Sequence, residues 1–175
     1  MRSATTVGLR RWLGAVGILA TSLGIAAAQE PAKTPGPKPG TGAAKRPSIY
    51  DKTADATAQV AKAVERAKQD DKRILLMFGG DWCGWCHKLH NLCSTNTEIA
   101  RTLYNEYVLV TIDLESPNAE PLLKRCKDAL AKDELQKGVG YPFLAVLDAD
   151  DKVVTAQRTD PLEEGDHHDP KKVSD

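Results

Sequence analysis

Between Asp51 and Gln69 the small apolar positions Ala54, Ala58, Ala61, Val64 and Ala67 recur every three or four residues, with Lys and Glu on the other side. That period predicts an amphipathic helix with a close-packing alanine face. The pattern then changes. Asp70-Asp71-Lys72 reads as a turn, and Arg73-Ile74-Leu75-Leu76-Met77-Phe78 is a continuous apolar run stopped by Gly79-Gly80. A run this short, bounded by glycines, suits a strand buried on both faces.

Helical spacing returns at Cys86, Leu89, His90 and Cys93, which share one side and carry a helix to about Leu92. Ser94, Thr95 and Asn96 offer caps for a short helix with Ile99, Leu103 and Tyr104 on its apolar side. Tyr107 to Ile112 reads as a second buried strand. Asn118 to Lys132 is expected to be helical around Leu122, Leu123, Cys126, Ala129 and Leu130, with Pro121 tolerated in its first turn. Pro142 to Leu147 forms a third strand, and Lys152 to Ala156 a fourth, paired with it as a hairpin across Asp148-Ala149-Asp150-Asp151. Strands alternating with helices and closed by a hairpin imply an α/β sandwich around a mixed sheet of about four strands. This places a domain at 49–158 and a polar tail at 159–175. In the tail, Asp169-Pro170 looks like the N-cap and first position of a closing helix that is absent or cut short.

Composition alters this picture mainly at the N-terminus. The 175 residues give room for one domain plus unstructured length. Charge is balanced at 24 basic and 24 acidic residues, so nothing marks a nucleic-acid footprint. Arg2, Arg10 and Arg11 precede an uncharged run from Trp12 to Ala28 that ends in three alanines, the pattern of a signal peptide over 1–28, with an uncleaved membrane anchor as the alternative. Residues 29–48 are rich in Pro, Gly, Lys and Ala and poor in apolar bulk, as expected of a disordered linker. The protein is therefore expected outside the cytoplasm, periplasmic or secreted, where disulfides persist.

The chemistry concentrates in Asp81-Trp82-Cys83-Gly84-Trp85-Cys86-His87. Cys-x-x-Cys is the spacing of a redox pair, Cys-x-x-Cys-His that of c-type haem attachment, and Cys83, Cys86, His90 and Cys93 are four potential zinc ligands. Haem lacks an evident second axial ligand, and the zinc set falls in one short segment that a straight helix cannot wrap tetrahedrally. A loop as short as 83–86 removes little entropy from the unfolded chain, so the pair has chemical rather than bracing value. Placement favours redox work: a Cys in a helix's first turn gains from unpaired backbone N–H groups, which favour the thiolate. Cys83 is then the attacking sulfur, and Cys86, one turn deeper, resolves the mixed disulfide. His87 could tune the thiolate, and Gly84 sets what stands between the sulfurs. Cys93 and Cys126 read first as buried small hydrophobes, with a bridge between them as the alternative.

A strand leading into Trp82-Cys83-Gly84-Trp85-Cys86 at a helix start, with Gly140-Tyr141-Pro142 opening a later strand, resembles the thioredoxin superfamily over about Asp51 to Gln157. The resemblance implies a thioredoxin-like three-layer fold and a cis peptide bond at Pro142 beside the cysteines. It also implies a substrate-binding edge from Tyr141 and Pro142, to which Trp82 and Trp85 add an apolar platform. One position departs from the pattern. Where many thioredoxins carry a buried acid in the strand five residues before the first Trp, this chain has Met77.

The expected function is protein thiol-disulfide exchange, as a reductase or mild exchanger acting on protein dithiols and disulfides. It implies an upstream membrane electron donor, needs no cofactor or metal, and suits a monomer. A non-catalytic thioredoxin-fold interaction domain is the alternative of a different class.

Overall fold

A computed structural model describes residues 47–175. The expected signal segment or membrane anchor, and the linker up to residue 46, lie outside the described residues.

The first helix, α1, spans Ala56–Asp70, begun by Asp55, whose side chain accepts from Ala58 N at 2.8 Å. Its inward face is Ala56, Val60, Ala63 and Ala67, while Ala58 and Ala61 are exposed. The expected stripe was thus rotated. The chain carries two alanine series at helical spacing, and only Ala67 belongs to both.

Strand β1 (Arg73–Gly79) is central in a four-stranded sheet of order β2-β1-β3-β4, where β2 is Tyr107–Asp113, β3 Phe143–Leu147 and β4 Val153–Arg158. β2 runs parallel to β1, reached through helices α2 (Gly84–Thr95) and α3 (Thr97–Glu106). A parallel neighbour requires such a crossover. β3 runs antiparallel to β1 with Phe78 opposite Phe143. That register sets the start of β3 against the end of β1, so the residues just before Phe143 meet those just after Gly79.

Alternation along β1 divides the core into two layers. Ile74, Leu76 and Phe78 join α1 and helix α4 (Ala119–Lys127) in the larger cluster, with Phe78 and Phe143 ring centroids 5.9 Å apart. Met77 faces the other way, with Tyr50, Cys83, Cys86 and Leu89. Helices on both faces of a mixed sheet make the expected three-layer α/β architecture. Tyr104 departs from expectation: it is 75% exposed, with the Lys72 ammonium 5.0 Å from its ring centroid. The helix expected over Asn118 to Lys132 ends at Lys127, and a five-residue helix, α5 (Lys132–Gln136), follows.

Residues 159–175, expected to be a polar tail, carry structure of their own. A single 3-10 turn (Asp160–Leu162) leads into a two-stranded ribbon of β5 (Glu163–Glu164) and β6 (His167–His168), then helix α6 (Pro170–Ser174) capped by Asp169. Leu162 and His168 are buried, which fixes the segment against the domain despite its polar composition. The shortened closing helix anticipated from Asp169-Pro170 is α6.

Candidate active site

Cys83 is the N-cap of α2, in extended conformation, and its sulfur accepts from Cys86 N at 3.1 Å. The first-turn environment expected from the sequence is therefore present: one unpaired helix N–H points at the sulfur of Cys83. Cys83 and Cys86 are joined in a disulfide with Cα atoms 5.3 Å apart. Cys83 retains 6% of its surface and Cys86 none, so of the pair only Cys83 reaches solvent. Gly84 is exposed, with open space around the position of a side chain.

Tyr141 and Pro142 approach from β3. The Tyr141–Pro142 bond is cis, Pro142 is fully buried, and Tyr141 O lies 3.6 Å from Cys83 Sγ. A disulfide sulfur has no proton to give, so this is a contact in the oxidised state and a thiol-to-carbonyl hydrogen bond only after reduction. Thr159 donates to Pro142 O and holds the segment from behind.

The two tryptophans part company. Trp82 is 59% exposed and meets the Tyr141 ring edge-on, with centroids 6.2 Å apart. Trp85 is half-buried: His168 stands edge-on to it at 5.2 Å, and the Lys88 ammonium sits 4.4 Å from its centroid. The exposed apolar surface beside Cys83 is therefore that of Trp82.

His87 hydrogen-bonds Asp81 O at 3.1 Å through Nε2. A carbonyl only accepts, so Nε2 carries the proton. The Asp81 carboxylate accepts from Ser48 Oγ and from Ile49 N, the latter at 3.1 Å. The Ser48 hydroxyl, then the Ile49 amide and the nearby His87, hold its pKa below the usual carboxylate range. Asp81 thus straps residues 48–50 across the cysteine turn. Thr111 on β2 donates to Ile49 O at 2.6 Å and pins the same strap.

Cys93 and Cys126 are not paired. Cys126 belongs to the α1–α4 layer and Cys93 packs with the opposite one, so the sheet lies between them. Burial pushes both thiols up to about 11.

Four participants escaped sequence reasoning: Tyr50, Asp81, Gly79 and His168. Asp81 adjoins the motif and was the most accessible of these. Gly79 showed only as the stop of the β1 run, and Tyr50 and His168 reach the site through tertiary contacts without any local pattern.

A family model described as thioredoxin-like matches residues 55–149. The chain belongs to the thioredoxin-like family. This thioredoxin-like protein is 32% identical over 102 residues to "Disulfide bond reductase DsbH" of Chlamydia pneumoniae, a match spanning 58% of this chain and 61% of that relative. It is 35% identical over 54 residues to spermatogenesis-associated protein 20 of Mus musculus, spanning 31% of this chain and 7% of that protein. The chain thus spans less than two thirds of the length of either relative. The crystal structure of a disulphide isomerase from Xylella fastidiosa Temecula1 aligns at 30% identity with a TM-score of 0.48, covering 62% of this chain and 77% of that one.

Proposed function

We propose that this protein is a thiol-disulfide oxidoreductase, secreted or periplasmic, that works as a reductase or mild exchanger of protein disulfides. One observation carries the reading: a Cys83–Cys86 disulfide at a helix N-terminus in which only Cys83 keeps any solvent exposure. In the dithiol state Cys83 attacks a substrate disulfide, and Cys86 resolves the mixed disulfide. Trp82, with Tyr141 and the cis Pro142, forms the edge that receives the substrate peptide.

The reductive direction is supported by what the thiolate lacks. No imidazole stands between the cysteines, and one backbone N–H reaches Cys83 Sγ. Strongly oxidising pairs, near about −120 mV, owe their potential to a highly stabilised thiolate, so values toward thioredoxin's −270 mV or so are expected here. The name of the Chlamydia relative, a disulfide bond reductase, agrees with this direction. Export rests on the N-terminal residues 1–28. A reductase in an oxidising compartment consumes reducing equivalents, so a membrane-delivered dithiol donor is its upstream partner.

Two measurements test the reading. Cys83→Ser is expected to abolish disulfide reduction in an insulin turbidity assay, and unchanged turnover would return the protein to the class of non-catalytic interaction domains. Redox titration of the Cys83/Cys86 pair against glutathione is expected to give a potential below about −200 mV, whereas one above about −150 mV would mark an oxidase.

A further inference from the structure

Resolution of a mixed disulfide requires Cys86, the more buried of the two sulfurs, to become a thiolate. The first step joins Cys83 to one substrate sulfur and releases the other, which takes a proton from solvent. In the second step Cys86 gives its proton to water and attacks Cys83 Sγ. The Cys83–Cys86 bond forms as the remaining substrate sulfur leaves as a thiolate, and two electrons have passed from the dithiol to the substrate. A bare thiolate at a fully buried position is strongly disfavoured without a donor.

The residue of β1 that faces the cysteine layer is Met77, 1% exposed, which supplies no polar group. A different residue fills the gap. At Gly79 a Cβ would lie 2.4 Å from Cys86 Sγ and 2.6 Å from Tyr50 Oη, so the sulfur and the phenol border one small space. In the disulfide state Tyr50 Oη is buried and has no hydrogen-bond partner among the described residues. A buried hydroxyl without a partner is costly and calls for a physical reason. The strap that carries it is anchored on both sides, by Asp81 to Ile49 N and by Thr111 to Ile49 O.

We propose that Tyr50 is the hydrogen-bond donor that stabilises the Cys86 thiolate in the second step. The inference rests on the thiol-disulfide exchange proposed above. Opening the disulfide moves the two sulfurs from bonding to van der Waals distance, and the phenol stands beside the space available to Cys86. Burial first, then Asp113 and Asp81, drive the phenol pKa upward, so Tyr50 holds its proton and acts as donor rather than base. The hydrogen bond becomes charge-assisted as the thiolate forms, so it is strongest in the state that needs it.

The test uses the full chain carrying Cys83→Ser, in which Cys86 is a free thiol, as it is in the mixed disulfide, and follows the Cys86 13Cβ resonance against pH. Tyr50→Phe is expected to lower the neutral-pH thiolate fraction of Cys86 about tenfold, the effect of one charged hydrogen bond. In otherwise wild-type protein the same change is expected to slow resolution of the mixed disulfide by about tenfold while leaving the initial attack by Cys83 unchanged. An identical Cys86 titration with and without the hydroxyl overturns the proposal. Loss of exchange in the wild type would instead overturn the oxidoreductase reading, because the Cys86 titration is measured without turnover. Should Tyr50→Phe fail to fold, the Cys83→Ser protein gives a second reading. The Tyr50 hydroxyl proton is expected to shift downfield as Cys86 deprotonates, and an invariant resonance is the negative result.

Discussion

Gly79 shows how one residue can hold a site open. It ends β1 beneath the cysteine turn, and its missing side chain leaves the space shared by Cys86 Sγ and Tyr50 Oη. Gly79→Ala puts a methyl group into atoms of a packed core, which costs about 1 to 3 kcal/mol when neighbours have to shift. Urea denaturation of the oxidised protein is expected to show that loss, and an unchanged midpoint would mean the neighbours yield freely. From the sequence Gly79 was legible only as the stop of an apolar run, because a breaker and a packing vacancy look alike in one dimension. Cys83 and Cys86 were legible in full, since their spacing and their place at a helix start are local. Trp85 was legible as an aromatic of the motif but not as one covered by His168 and Lys88, which arrive from elsewhere in the chain and from the next turn of α2.

At the scale of elements, α1 separates what period reveals from what phase requires. Spacing identified the helix, but two alanine series share that spacing, and the sheet selects Ala56, Ala63 and Ala67 over Ala58 and Ala61. Ala63→Leu is therefore expected to lower stability by about 1 to 3 kcal/mol through overpacking. Ala58→Leu, on the solvent side, should stay within about 0.5 kcal/mol. Equal losses in thermal denaturation would restore the other stripe. The strands were legible to within a residue or two because β1 and β3 are almost wholly apolar. The β5–β6 ribbon was not, because strands of two residues carry no period to read, and α6 was legible only through its cap and first position, Asp169-Pro170. Their order comes from Leu162 and His168 docking on the domain and from the Asp169 cap.

For the molecule as a whole, two histidines couple stability to pH. His168 on β6 is 2% exposed and makes no hydrogen bond through either ring nitrogen among the described residues. Burial, with Lys88 and His167 adding to it, holds its pKa below the usual value. His90 on α2 is lowered in the same direction by burial and by His87. The unfolded chain therefore binds protons near pH 6.5 that the folded chain refuses. Stability from this source is complete above about pH 6.5 and declines as the pH falls below it. Asp81 has the depressed pKa of a hydrogen-bonded carboxylate, so its contribution is lost only near pH 4 and below. Denaturant melts at pH 7.5 and 5.5 should show lower stability at pH 5.5. His168→Leu is expected to shrink that difference, and a pH-independent midpoint in the wild type would refute the linkage.

What the sequence by itself determined was whatever depends on near neighbours: strand and helix periods, the cysteine pair at a helix start, and the Tyr-Pro step before β3. Tertiary structure decided which alanine stripe faces inward, which tryptophan stays free, and which side chains meet behind Cys86. The meeting of side chains around the cysteines follows from the antiparallel register of β1 with β3, which brings Tyr141 to Cys83, and from the strap that carries Tyr50 under the cysteine turn. Local periodicity contains neither. Contacts between residues far apart in the chain depend on how layers stack and on which vacancies they leave, and both are set when the whole core packs at once.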